Sequence, residues 1–229
     1  MTKLLISVTS IDEAQLAMDH GADIIDLKDP HSGALGALPL ETINEIANYI
    51  HLSKNPKPIS ATIGDIPMQV DLILHQVNLL ANTKIDFIKI GFFEADNYHS
   101  CLSAIKPIAA NLDLIAVLFA EYTYPVNIVE DIKQAGFKGL MLDTAHKNGR
   151  TILYYHSRKY CEDLSQNVRK SGMTFGLAGS LKLQDIAILG VSQPTYMGFR
   201  GGACTEYSRT ENLDRGKIEA LSNALKSLL

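Results

Sequence analysis

Short apolar runs alternate with longer amphipathic stretches along almost the whole chain, and this alternation limits the folds it can adopt. Eight runs of five or six residues are rich in Ile, Val, Leu and aromatic residues and are flanked by turn residues, as buried strands are. These predicted strands cover residues 4–8, 23–27, 58–62, 86–90, 114–119, 139–143, 174–178 and 195–199.

The amphipathic stretches between the strands carry helix start and stop signals. Ser10 followed by Glu13 has the spacing of a capping box at the start of the first helix. Gly21 and Gly136 each stand between a helical pattern and a strand, as glycines in a left-handed helix stop do. The predicted helices cover residues 10–20, 40–49, 67–81, 98–110, 126–135, 157–170, 182–189 and 215–229.

A strand followed by a helix, eight times in little more than 220 residues, favours one architecture. We predict an α/β fold, a single (β/α)8 TIM barrel that forms one catalytic domain over residues 1–229. A doubly wound open sheet is the alternative, and it usually carries a G-x-G-x-x-G turn after its first strand. The turn here, SVTSID (residues 7–12), contains no glycine, which favours the barrel.

Composition excludes several classes of protein. The 46% hydrophobic and 20% charged residues are ordinary for a globular protein, which argues against an extended disordered region. A net charge of −4 without a basic run predicts no nucleic-acid partner. Three widely spaced cysteines do not form a disulfide framework. We see neither a signal peptide nor an apolar run long enough to span a bilayer, so we predict a cytoplasmic protein without a membrane partner.

Charged side chains stand at the ends of three predicted strands, where a TIM barrel carries its catalytic groups. Asp26 and Lys28 are two residues apart and therefore share one face of the second strand. Lys89 lies inside an apolar run in the fourth strand, and Asp143 and Lys147 lie at the end of the sixth. The alternatives are a structural ion pair at the rim for Asp26 and Lys28, a snorkelling side chain for Lys89, and a solvated loop residue for Lys147.

Lysines that converge over the barrel mouth have a specific chemical use. A second ammonium group nearby lowers the pKa of a lysine from its usual value of about 10.4. A neutral amine can attack a carbonyl carbon and form a Schiff base. Asp26 and Asp143 could then transfer protons or stabilise the iminium ion.

The turns after the last two strands are typical of anion-binding loops. Gly179 and Ser180 follow the seventh strand and are predicted to open the seventh helix, and Arg200, Gly201 and Gly202 follow the eighth. Loops seven and eight form the usual phosphate site of this fold, where backbone N–H groups bind the anion. We predict a substrate phosphate here, with Arg200 as its charge partner; ordinary tight turns are the alternative. The glycine-rich loop after the second strand is a candidate lid.

The sequence offers little support for other chemistries. Seven histidines are scattered without an H-x-H or H-E-x-x-H pair, so we predict no metal site. Neither a G-x-S-x-G nucleophile elbow nor a dinucleotide motif is present, and we expect no cofactor. Cys204 lies near the predicted mouth without a histidine placed to activate it, and we interpret it as a bystander.

Six segments in order resemble the blocks of the (5-formylfuran-3-yl)methyl phosphate synthase family: DLKDPHSGALGAL, SATIGD, FIKIG, MLDTAHKNG, LAGS and GFRGGAC. The resemblance implies an aldolase-like barrel that condenses two molecules of glyceraldehyde 3-phosphate in methanofuran biosynthesis. It also implies Lys28 as the Schiff-base lysine, Lys89 as the proton acceptor, and Asp26, Asp143 and Lys147 as supporting residues. The partner would be a phosphorylated triose, and self-association of the barrel stays open.

Two other hypotheses compete with this function. The chain could be another aldolase of phosphotrioses or phosphosugars that uses the same lysines. It could also be a barrel that binds phosphates without catalysis, which predicts ligand binding without turnover or covalent trapping.

Overall fold

Eight parallel strands close into a barrel in the computed structural model, which describes residues 1–228. Each strand pairs with its neighbours in chain order, and β8 returns to pair with β1. The predicted (β/α)8 barrel is therefore confirmed. The strands are β1 (Lys3–Val8), β2 (Ile24–Leu27), β3 (Ile59–Thr62), β4 (Phe87–Phe92), β5 (Leu114–Phe119), β6 (Gly139–Asp143), β7 (Thr174–Leu177) and β8 (Tyr196–Phe199).

A helix follows each strand on the outside of the barrel. The α-helices are α1 (Ile11–Asp19), α2 (Leu40–Leu52), α3 (Val70–Ala81), α4 (Tyr98–Ala109), α5 (Ile128–Gln134), α6 (Ile152–Tyr155), α7 (Arg158–Lys170), α8 (Asp185–Gly190) and α9 (Arg215–Lys226). Two short 3-10 helices, Gly201–Ala203 and Thr205–Tyr207, lie between β8 and α9. The four-residue α6 and both 3-10 helices were not predicted, because a single turn leaves no periodic apolar pattern.

The sequence signals at the helix ends have the expected structural basis. Ser10 caps α1 by accepting a hydrogen bond from the N–H of Glu13. The Glu13 carboxylate reaches back to the N–H of Thr9, one residue before the position that a standard capping box would use. Gly21 and Gly136 have φ angles of 109° and 93°, a region in which a side chain would strain the backbone.

Two apolar layers follow from the two-residue period of the strands. Ile88 and Ile90 point outward and pack in the large layer between the strands and the helices. A smaller cluster that includes Leu5, Met141 and Tyr196 fills the interior of the barrel. Lys89 lies between the two isoleucines on the opposite face of β4 and therefore points into the barrel. Among the described residues, no helix combines the length and the apolar character needed to cross a membrane.

Candidate active site

A cavity of about 440 Å³ opens where the carboxyl ends of the strands meet. This is the end of the barrel at which enzymes of this fold carry their catalytic groups. All ten residues selected from the sequence line it, so the structure brings the whole set together. They are Asp26, Lys28, Lys89, Asp143, Lys147, Gly179, Ser180, Arg200, Gly201 and Gly202.

Asp26 and Lys89 form an ion pair deep in the barrel, which we call the inner pair. The Lys89 Nζ lies 2.5 Å from the Asp26 Oδ1, and both side chains are at most 3% exposed. Ser60 donates to the same carboxylate oxygen at 2.6 Å, and Ser7 donates to the other at 2.8 Å. These serines stand beside Asp26 in the register of β1, β2 and β3, so the barrel itself supplies the hydrogen bonds.

The ionisation of the inner pair reflects a balance between burial and charge. Burial by itself raises the pKa of Asp26, but the ammonium groups of Lys89 and Lys28 outweigh it and hold the pKa below its ordinary value. Burial lowers the pKa of Lys89, and the charge of Asp26 opposes that shift only in part. Lys89 is therefore easier to deprotonate than a surface lysine, as a proton acceptor should be.

A second cluster lies nearer the mouth, and we call it the outer cluster: Asp143, Lys147 and Lys28. The Asp143 Oδ1 lies 2.6 Å from the Lys147 Nζ, and its Oδ2 lies 3.6 Å from the Lys28 Nζ. Burial lowers the pKa of Lys147 to about 8, and Asp143 opposes this shift while Lys28 adds to it. Burial raises the pKa of Asp143, but the charges of Lys147 and Lys28 prevail and hold it well below its usual range.

These contacts correct three interpretations made from the sequence. Asp26 forms its ion pair with Lys89, so the alternative of a rim ion pair between Asp26 and Lys28 is wrong. The Lys89 side chain is only 3% exposed and does not snorkel to the rim. The Lys147 side chain is 14% exposed and hydrogen-bonded to Asp143, so it is not a solvated loop residue.

Lys28 is the least engaged of the three amines. Its Nζ has no hydrogen-bond partner in residues 1–228, and the contact with Asp143 at 3.6 Å is longer than a hydrogen bond. By contrast, Lys89 and Lys147 each have a carboxylate oxygen at 2.6 Å or less. An amine that lines a cavity and has no hydrogen bond to break is the one best placed to attack a carbonyl carbon.

Glu121 holds the loop that carries Lys147, a role that the sequence analysis missed. Its two carboxylate oxygens accept hydrogen bonds from the N–H groups of Ala145 and His146, both at 2.9 Å. Glu121 follows β5 closely, so its position after a strand was the available signal. The contact fixes the backbone immediately before Lys147.

The turn after β7 differs from the predicted helix start. Gly179 and Ser180 have φ angles of 94° and 54°, and α8 begins only at Asp185. The Asp185 carboxylate accepts a hydrogen bond from the N–H of Lys182, and this contact closes a separate turn that precedes the helix. The expected helix N-terminus at Gly179 and Ser180 is therefore wrong, and a helix dipole does not explain anion binding there.

The glycine turns nevertheless leave backbone donors beside the cavity. Within residues 1–228, the N–H groups of Gly179, Ser180, Gly201 and Gly202 have no acceptor. We call these four residues the glycine cradle. A Cβ on Gly202 would lie 2.3 Å from the carbonyl oxygen of Leu181, so the two turns touch in a way that only glycine permits.

Arg200 lines the cavity, but its guanidinium group is committed to the protein. Nη1 lies 2.6 Å from the Glu13 carboxylate and also donates to the carbonyl oxygen of Ser7. Nε and Nη2 donate to the carbonyl oxygens of Arg209 and Glu211. Four of its five N–H donors are therefore engaged in holding the turn after β8, and its role as a charge partner for phosphate stays a prediction.

Two other cations line the cavity without a carboxylate partner among the described residues. Lys182 follows the turn after β7, and its Nζ lies 5.7 Å from the centre of the Tyr207 ring. Arg209 donates one hydrogen bond to the carbonyl oxygen of Gly33. The sequence analysis missed both, because basic residues in loops are ordinary and nothing in the sequence fixes their direction.

A family profile and curated relatives match nearly the whole chain. The sequence profile of the 4-HFC-P synthase family matches residues 4–222. The chain is 32% identical to (5-formylfuran-3-yl)methyl phosphate synthase of Methanocaldococcus jannaschii, over 97% of this chain and 99% of that protein. It is 37% identical to a protein of Methylorubrum extorquens provisionally given the same name, over 98% of this chain and 92% of that one.

Solved structures show the same fold at low identity. Phosphoribosyl anthranilate isomerase from Thermus thermophilus has a TM-score of 0.68 at 15% identity, and 3-hexulose-6-phosphate synthase from Salmonella typhimurium has 0.67 at 18%. Both comparisons cover the whole of both chains. These likenesses support the barrel alone, whereas the family profile and the curated relatives are all synthases by name. The chain therefore belongs to the 4-HFC-P synthase family and is a synthase enzyme.

Proposed function

We propose that this synthase condenses two molecules of glyceraldehyde 3-phosphate into (5-formylfuran-3-yl)methyl phosphate, as a carbon–oxygen lyase acting on phosphates in methanofuran biosynthesis. The two trioses supply the six carbons of the product, which keeps one phosphate. The other phosphate leaves together with two water molecules, so the reaction consumes neither an oxidant nor a reductant. The names of the relatives support this product.

The observation that carries the proposal is the free amine of Lys28 beside Asp143 in a cavity that contains further cations. The Lys28 nitrogen attacks the aldehyde carbon of one triose, and loss of water forms a C=N bond. The positive charge of this iminium ion acidifies the neighbouring C–H group. Asp143, ionised at neutral pH, lies 3.6 Å from the nitrogen and stabilises the charge.

The inner pair then supplies a base for carbon chemistry. Its lysine, whose lowered pKa makes the neutral amine accessible, takes in that neutral form the proton next to the iminium carbon, and the resulting enamine forms the bond to the second triose. Asp26 holds that lysine at 2.5 Å, and two serines in turn orient Asp26. Lys147, with a pKa of about 8, can exchange a proton near neutral pH during the eliminations.

Product identification tests the proposal directly. Purified protein incubated with glyceraldehyde 3-phosphate alone should form an ultraviolet-absorbing furan aldehyde and release one inorganic phosphate per furan. A different aldol product would favour the alternative aldolase. Binding of the triose phosphate without turnover, and without a borohydride-trapped adduct, would favour the non-catalytic barrel.

A further inference from the structure

We propose that Arg209 forms a second phosphate subsite, separate from the glycine cradle, on the side of the cavity that faces the loop after β2. This inference rests on the proposed function, in which two phosphorylated trioses occupy the cavity together. Each brings a phosphate monoester, and the glycine cradle accounts for only one of them. The second anion needs its own donors, and Arg200 cannot offer its guanidinium fork because four of its five N–H donors are bonded to the protein.

Arg209 extends from one side of the mouth to the other. A Cβ on Gly201 would lie 3.6 Å from the backbone nitrogen of Arg209, so its main chain lies beside the glycine cradle. Its Nη2 lies 2.9 Å from the carbonyl oxygen of Gly33, which belongs to the loop after β2. The guanidinium group therefore lies on the side of the cavity where β2 ends and where Lys28 stands.

Most of the donors of Arg209 are unused. A guanidinium group has five N–H donors, and one of them bonds to Gly33. Within residues 1–228 the other four have no acceptor, and the side chain forms no ion pair. Because a guanidinium fork matches two phosphate oxygens, these unused donors are suited to binding a phosphate.

The neighbouring carboxylates do not compete for these donors. Asp143, Asp65 and Asp29 are near enough for their charges to act on Arg209, but each is engaged elsewhere. Asp143 is bonded to Lys147, Asp65 accepts two backbone N–H groups at 2.6 Å, and Asp29 accepts from its own loop. Burial, the largest effect on the group, lowers the pKa of Arg209. A bound phosphate would relieve the cost of that partly buried charge.

A non-reactive analogue separates this inference from the proposed function. Glycerol 3-phosphate has no aldehyde and cannot form a Schiff base, so its binding does not depend on turnover. Calorimetric titration should show two molecules per wild-type chain and one per Arg209→Gln chain. One molecule on the wild type, or two on the variant, would overturn the inference. Failure of the wild type to make a furan from glyceraldehyde 3-phosphate would instead overturn the proposed function.

Two control variants guard against indirect effects. Arg215→Gln removes an exposed arginine of α9 that pairs with Glu219, and it should still bind two molecules. Asp65→Asn weakens the contact that holds the loop after β2 but keeps the Arg209 side chain, and it should also bind two. Loss of one molecule in Asp65→Asn would mean that the loop, not the guanidinium group, makes the subsite, and would overturn the inference.

Turnover provides a second measurement for the same variants. Arg209→Gln should raise the half-saturating concentration of glyceraldehyde 3-phosphate by about 10- to 100-fold, the effect of losing a hydrogen-bonded charge from an anion site. Arg209→Lys should fall between that variant and the wild type, because it keeps the charge but loses the fork. Equal half-saturation in all three proteins would contradict a role in substrate binding.

Discussion

The inner pair and the outer cluster both consist of aspartate and lysine, but they differ in how completely their charged groups are paired. In the inner pair, both carboxylate oxygens of Asp26 are hydrogen-bonded and Lys89 has its partner at 2.5 Å. In the outer cluster, one carboxylate faces two lysines, and Lys28 is left 3.6 Å away without a hydrogen bond. The difference indicates that a fully hydrogen-bonded pair is suited to proton transfer, whereas an amine without a hydrogen bond at the mouth is suited to attack a carbonyl carbon.

The largest effect should follow removal of the free amine. Lys28→Met should abolish the borohydride-trapped adduct and lower turnover by at least about 10³-fold, since Lys89 and Lys147, the other lysines of the two sites, each have a carboxylate oxygen at 2.6 Å or less. Peptide mass spectrometry after borohydride treatment identifies the modified residue. An adduct on Lys89 or Lys147 alone would reverse the assignment and remove the contrast between the two sites.

Removal of the buried base should reduce both activity and stability. Lys89→Met should lower turnover at least about 100-fold, the low end for a general base. It should also lower the free energy of unfolding by about 3–5 kcal/mol, because the Asp26 carboxylate is left buried without its partner. Denaturant unfolding and single-turnover kinetics measure the two effects.

A double variant separates the loss of activity from the loss of stability. Lys89→Met combined with Asp26→Asn should recover most of the stability, since the inner pair then leaves no buried charge without its partner, but none of the turnover. Recovery of turnover in the double variant would mean that the inner pair only maintains the fold.

The smallest effect concerns pH and the titration of Lys147 in the outer cluster. The pKa of Lys147 is lowered to about 8 in the folded chain, from 10.5. Between these values the unfolded chain binds more protons, so the free energy of unfolding should rise as pH increases. The full shift corresponds to about 3 kcal/mol, and the partial exposure of Lys147 reduces the expected rise to about 1–2 kcal/mol.

Unfolding curves at several pH values between 8 and 10.5 provide the measurement. Lys147→Met should lack this part of the rise, whereas Lys89→Met should retain it. The same slope in the wild type and in Lys147→Met would show that Lys147 does not titrate in this window.

The sequence reveals which residues are unusual but not which of their side chains are in contact. Lys89 was recognisable because a lysine between two isoleucines in an apolar run is rarely buried without a function. The partner of Asp26 was not recognisable, because it depends on the distance across the barrel between β2 and β4. Likewise, the composition of the loop after β8 reveals basic residues there, but only the structure shows that Arg200 is bonded to Glu13 while Arg209 extends to Gly33.

The turn after β7 shows a second limit. The apolar pattern of residues 182–189 resembled a complete helix, and glycine followed by serine resembled its start. Asp185 instead caps the N–H of Lys182 and delays the helix by one turn. Side-chain oxygens can bond to nearby backbone groups in more than one way, so the residue type alone did not decide the helix boundary.

The pairing of β1 with β8 has a consequence for how the chain is made. A ribosome adds about 5–20 residues per second, so β1 waits about 10 to 40 s while the roughly 190 residues up to β8 are synthesised. During that interval one edge of β1 exposes unpaired backbone groups next to an apolar segment, a template for misassembly with other chains. We expect nascent chains that stop before Tyr196 to depend on chaperones. We expect the chaperones to release the chain when β8 pairs with β1 and closes the barrel.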